Sequence, residues 1–422
     1  MLNRVYPALA ALLLVLLPSA THAFGQDEVF QQRFRAVLAQ HGVVGGGVAI
    51  VRGQQPATQF FYGEARKGTA IDGATSYNWA SITKTMTAIA ILQLRDRGKL
   101  SLDDAAVRYV PELRQMHDEF GPVDAITIRD LLTHSAGLRN PTWPWDCDDA
   151  RNCDWQPFEP TEWAQVAAML PYTHVAFRPG SRWSYSNLGY VFLGQIIQRL
   201  SGDDFEVYLD KNILKPLGMT ESYFDRSPYF LEPHVSASYV REGGNLTEQP
   251  FNFDTGITTS NSGLKAPVTD MAKYLRFLLG EAGNAVYDFV LARKSLEEAW
   301  TGVLPVTEPG QPATPYTEGS PMMGLGFFVL KVDGHRYIYH DGDQGGFSSE
   351  MLIDPARHVA SILAVNTTDA GGPPASKELH PQSNTEPEPG TDLRITLRRE
   401  LMEHVFPSVD GEKSGAARPR QP

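Results

Sequence analysis

Ser81 and Lys84 stand three residues apart in the segment N-W-A-S-I-T-K-T-M-T, where a helix is predicted to start. Residues i and i+3 share a helix face, so the amine can reach the hydroxyl. A serine hydroxyl attacks poorly until a base takes its proton. A lysine can be that base once burial lowers its pKa. N–H groups at a helix start add stabilisation of developing negative charge. A plain N-capping serine is the other reading of Ser81. A second Ser-x-x-Lys, Ser262 with Lys265, sits in the glycine-containing polar turn T-T-S-N-S-G-L-K and reads as structural.

Two further segments carry chemistry. Tyr185, Ser186 and Asn187 open an apolar helical stretch. A tyrosine can relay protons, and an amide both donates and accepts. The alternative is a buried tyrosine followed by a capping asparagine. The run H-D-G-D-Q-G-G begins at His340 after an aromatic strand, and Gly342 permits close backbone approach. The alternative there is a tight turn with a surface histidine.

These residues need elements to hold them. Helical spacing is predicted over 29–41, 83–97, 127–132, 161–170, 188–200, 205–213 and 393–405. Strands are predicted over 45–51, 58–62, 324–332, 337–339, 349–353 and 359–365. The expected class is α+β: an antiparallel sheet built from both chain ends, flanked by helices, with a mainly helical unit inserted at about 100–253. A stretch rich in Pro, Glu and Ser over 371–390 reads as a loop, and 408–422 as a disordered tail.

Composition bounds the partners. The chain has 422 residues, 42% hydrophobic and 20% charged, which suits a large globular core. A net charge of -12 disfavours nucleic acid. Arg4, the apolar run 8–17 and small residues up to Ala23 read as a secretory signal peptide cut near Ala23. That run is about half the ~20 residues a spanning helix needs, so no stable membrane anchor is expected. Cys147 and Cys153 are the only cysteines, and in an exported protein they are expected to form a small disulfide loop. No metal or cofactor is implied. His134, in L-L-T-H-S-A-G-L, reads as a core or loop histidine.

In chain order, S-x-x-K, Y-x-N and His-x-Gly resemble the class C β-lactamase and D-Ala-D-Ala carboxypeptidase family, which also holds esterases and D-aminopeptidases. The resemblance spans 29–365. It extends to L-L-T-H-S-A-G-L (131–138), F-R-P-G (177–180), P-L-G-M (216–219) and M-G-L-G-F (323–327). It implies a β-lactamase/transpeptidase-like fold and a serine hydrolase working through an acyl-enzyme, and the signal peptide suggests a bacterial periplasm. It implies Ser81 as nucleophile, Lys84 as activator and Tyr185 as proton shuttle. Asn187 would hold the substrate amide, and His340 would support Tyr185 or bind a substrate carboxylate. The N–H groups of Ser81 and Asp343, beside Gly342, would form the oxyanion hole. His340 stands where the β-lactamases carry lysine, and Asp341 and Asp343 add carboxylates nearby. Small-molecule or peptide acyl substrates follow, with an ester or D-amino-acid amide ranked first, cell-wall carboxypeptidase second and β-lactam third. A silent binder of cell-wall ligands is the rival class. The ordinary histidine pKa near 6.5 leads to the expectation that the rate follows His340 ionisation.

Overall fold

The computed structural model describes residues 18–138, 160–224, 226–249, 255–306, 320–369 and 393–409, with side chains from Asp27 onward. The apolar run 8–17, both cysteines and the 371–390 stretch lie outside the described residues. Nine strands form one antiparallel sheet: β1 (Gly45–Arg52), β2 (Thr58–Arg66), β3 (Thr69–Ala70), β4 (Leu304–Pro305), β5 (Met322–Met323), β6 (Phe328–Val332), β7 (His335–Gln344), β8 (Phe347–Asp354) and β9 (Val359–Val365). Their order is β3-β2-β1-β9-β8-β7-β6-β5-β4, so the two chain ends meet where β1 pairs with β9.

Five helices frame this sheet: α1 (Pro18–Gln40), α2 (Thr83–Asp96), α3 (Asn187–Ser201), α4 (Val268–Leu279) and α5 (Leu393–Glu400). Successive strand side chains point to opposite faces. Val48, Ile50, Tyr337, Tyr339, Leu352 and Leu363 therefore pack with Phe30, Phe34 and Leu38 of α1 and with Leu397 of α5. Ala49, Val51, Ile338, Met351 and Ile362 pack on the opposite side with residues of α2, α3 and α4. The helical unit thus sits on one face and the terminal helices on the other.

The region 100–253 also holds a hairpin, in which Ser238–Glu242 pairs with Asn245–Gln249. Gly243 and Gly244, at φ 55° and 86°, make the tight turn between them, as a two-residue hairpin requires. The strand expected over 324–332 is interrupted between Met323 and Phe328, and that expected over 337–339 is the ten-residue β7. The tail is also anchored at its start, since Val409 is buried.

The α5 layer carries charge as well as apolar groups. Arg398 donates to Glu350 Oε2 at 2.7 Å and to Asp341 Oδ1 at 2.9 Å. Burial pushes the Glu350 carboxyl up to about 7, against the pull of Arg398 and helped by Asp341. Burial also opposes the charge on Arg398, but Glu350 and Asp341 outweigh it and hold the guanidinium protonated. Removing one partner of such a group leaves an uncompensated buried charge. Arg398→Met should therefore lower unfolding free energy by about 3–5 kcal/mol. Adding Glu350→Gln should recover part of that loss in chemical denaturation. An unshifted denaturation midpoint in the single variant would show that the group contributes little.

Candidate active site

Ser81 lies on a single 3-10 turn, Ala80–Ile82, that feeds α2 at Thr83. The helix proper therefore starts two residues later than the nucleophile candidate. Ala80 has φ 46°, a left-handed backbone that is costly for a residue with a Cβ. The neighbours hold it there. Asn78 Oδ1 accepts the Ala80 N–H at 2.8 Å. The Trp79 indole donates to the Ala266 carbonyl at 2.9 Å, and the Trp79 carbonyl accepts from Ser349 at 3.1 Å.

Lys84 is fully buried one turn along. Its Nζ donates to Ser81 Oγ at 2.9 Å, Asn187 Oδ1 at 2.8 Å and the Asn261 carbonyl at 2.9 Å. All three acceptors are neutral oxygens. The rings of Tyr185 and Tyr190 lie 4.9 and 5.6 Å from the amine. Burial holds the lysine pKa well below its ordinary value.

Tyr185 donates its hydroxyl to Ser81 Oγ at 2.7 Å. Burial raises its phenol pKa, the bond to Ser81 pulls it down, and Asp341 and Asp343 add to the rise. Ser186 is the extended N-cap of α3 and accepts from the Gly189 N–H at 3.2 Å. One extended residue thus separates the hydroxyl on Ser81 from the amide on Lys84.

The strand β7 supplies the other wall. β6 reaches only 335–339 of β7, so 340–344 have β8 on one side and the Ser81 turn on the other. A Cβ on residue 342 would meet the Trp79 carbonyl at 2.4 Å and the Ser81 nitrogen at 3.0 Å. Only glycine lets the strand pass so close. Asp341 and Asp343 follow the alternation away from this wall. Asp343 pairs with Arg394 of α5 at 2.8 Å, as Asp341 does with Arg398. Their carboxylates are thus held by cations of the opposite layer.

His340 is buried, not a surface group, and packs against Phe328 with ring centres 5.2 Å apart. Its Nδ1–H donates to the Asp341 carbonyl at 2.7 Å. Its Nε2 has no hydrogen-bond partner among the described residues, so it makes no such bond to Tyr185. Burial and then the charge of Lys84 push its pKa down to about 4, against the Asp341 bond. The expectation that it titrates near 6.5 is therefore corrected.

The Beta-lactamase family model matches residues 30–380. The chain belongs to the Beta-lactamase family. It is similar to Protein flp of Staphylococcus aureus (strain COL), with 24% identity over 82% of this chain and 64% of that protein. It therefore spans somewhat less than two thirds of the length of that curated relative. The octameric penicillin-binding protein homologue from Pyrococcus abyssi superposes with a TM-score of 0.68, at 26% identity over 81% of this chain and 74% of that one. A class C beta-lactamase in complex with cefoxitin shares the fold with a TM-score of 0.67, at 19% identity over 90% and 99% of the two chains.

Sequence spacing missed four contributors to this β-lactamase-family site. Asn261 serves through its carbonyl, which any residue type could supply. It lies in the second Ser-x-x-Lys segment, where the helix Thr259–Ser262 ends and Lys265 begins a short strand. Arg394 and Arg398 stand four apart on the last helix, a spacing that marks one face. His134 lies against Tyr185, with ring centres 4.3 Å apart.

The depressed His340 pKa has a definite sign. The folded state disfavours the proton, so stability is full above about 6.5 and falls as pH drops toward about 4. Wild type should lose about 3 kcal/mol more than His340→Gln over that window. Denaturation midpoints at pH 7 and pH 4 check this. Parallel losses in both proteins would place the histidine pKa at its ordinary value.

Proposed function

We propose that the protein is a secreted acyl-transfer hydrolase that acts on an ester, or on an amide such as a D-amino-acid peptide. The observation that carries this reading is the convergence of Lys84 Nζ and Tyr185 OH on Ser81 Oγ. Two donors on one hydroxyl oxygen stabilise it as its proton leaves.

Ser81 Oγ gives its proton to the Lys84 amine and bonds to the substrate carbonyl carbon. The low lysine pKa favours that acceptor, while the raised phenol pKa keeps Tyr185 protonated. The oxyanion is held by the main-chain N–H groups of Ser81 and Asp343. The bond from carbon to the alcohol or amine then breaks, and the leaving atom takes a proton relayed through Tyr185. Water attacks the acyl-enzyme by the same route in reverse and frees the acid. Asn187 orients Lys84 and holds the acyl side of the substrate.

His340 decides between substrate classes. A neutral imidazole offers no cation to a substrate carboxylate, where an ammonium would. That favours uncharged esters and amides over carboxylate-bearing β-lactams and D-Ala-D-Ala peptides. The likeness to a penicillin-binding protein homologue and to a class C beta-lactamase in complex with cefoxitin keeps both alternatives in the test.

Intact-protein mass spectrometry with p-nitrophenyl esters and with benzylpenicillin separates the readings. The expected result is ester turnover with a transient acyl adduct, both lost in Ser81→Ala. Lys84→Ala should lower kcat by more than about 100-fold. A stable adduct without turnover would instead make the protein a ligand binder. Rapid benzylpenicillin turnover would move the assignment to β-lactamase.

A further inference from the structure

His134 was read from sequence as a structural histidine, yet it grips the segment that carries Tyr185 at two points. Its backbone carbonyl accepts the Ser184 N–H at 2.8 Å. Its Nδ1 accepts the Ser186 N–H at 3.1 Å. These two bonds bracket Tyr185 on either side. The imidazole itself lies between two tyrosines, 4.3 Å from the Tyr185 ring at a 30° tilt and 5.0 Å from the Tyr190 ring at 35°. Tyr190 is anchored in turn by its hydroxyl, which donates to the Leu132 carbonyl at 3.0 Å.

The arrangement is costly in two ways. His134 has φ 54°, a left-handed backbone uncommon for a residue with a side chain. Its Nε2 is buried without a hydrogen-bond partner among the described residues. Because Nδ1 accepts a bond, the proton of the neutral ring sits on that Nε2. Burial, then the charges of Lys84 and His340, keep the ring neutral and so preserve the Nδ1 lone pair. A residue that only filled the core could be apolar and right-handed. Strain of this kind persists where the surroundings over-determine it, and it clusters at functional sites.

We propose that His134 is the positioning residue for Tyr185: its ring fixes the plane of the phenol, and its two acceptors fix the main chain on either side of it, at Ser184 and Ser186. The proposal rests on the relay role assigned to Tyr185 above. His134 touches neither substrate nor Ser81 and acts through its neighbours.

Two substitutions divide the role. His134→Asn tolerates the left-handed backbone and retains a side-chain acceptor but removes the ring. His134→Phe keeps a ring and removes the acceptor. Each is made in wild type and in Tyr185→Phe, with ester kinetics, thermal midpoints and NMR of 13Cζ-labelled tyrosine. The Tyr185 signal is assigned by its loss in Tyr185→Phe. His134→Asn is expected to lower kcat more than about tenfold with little change in KM, and to move the Tyr185 signal. In the Tyr185→Phe background the same change should cost less than about twofold, because the hydroxyl it positions is gone. His134→Phe should show the acceptor's share in the same two readouts. An unmoved Tyr185 signal, or equal losses in both backgrounds, overturns the proposal. A lowered thermal midpoint with unchanged kcat overturns it too, since that is the mark of a core filler. Failure of the nucleophile assignment is seen separately, as full kcat in Ser81→Ala, and the tyrosine signal still decides the positioning claim.

Discussion

Lys84 brings its amine into a buried site whose three acceptors are neutral oxygens, and much of the architecture follows from that. A charged amine without a carboxylate partner loses hydration that the protein does not fully return. The proton is therefore weakly held, and the amine is available as a base. The three acceptors come from chain segments far apart in sequence: Ser81, Asn187 and Asn261. They meet only because α2, α3 and the short helix Thr259–Ser262 pack into one core. The tyrosine faces around the amine soften the desolvation cost without supplying a full counter-charge.

The same sheet separates this site from a second layer that holds ion pairs among its apolar groups. β7 turns His340 and Gly342 toward Ser81, and turns Asp341 and Asp343 toward α5. There Arg394 and Arg398 hold the carboxylates. One strand thus serves a low-charge pocket on one face and an ion-pair network on the other. The strand period of two makes this possible. The helix α5 is far from the nucleophile in sequence but holds the residues that flank it.

Much of this was legible in the chain. The spacing of Ser81 and Lys84, the Tyr185-Ser186-Asn187 helix start and the glycine at 342 placed the central residues, and the structure brings them together. The apolar runs 45–51 and 359–365 marked the central strands, which are buried on both faces. What was hidden depends on tertiary contact. A main-chain acceptor such as the Asn261 carbonyl has no residue signature. The buried place of His134 against Tyr185 depends on how two distant segments fold together. The direction of Asp341 and Asp343 needed the register of β7, and their pairing needed the docking of α5. The His340 pKa needed burial, which a reference value cannot supply. The 238–249 hairpin did have a local signal, the Gly243-Gly244 pair.

The most direct test is the titration of Lys84 itself. NMR of 13Cε-labelled lysine, with the Lys84 signal assigned by its loss in Lys84→Arg, follows the amine through its protonation. The expected result is a midpoint well below the ordinary lysine value of 10.5, accompanied by a matching rise in the rate of Ser81 acylation. A midpoint at or above that value would contradict the buried, uncompensated amine on which the site is built.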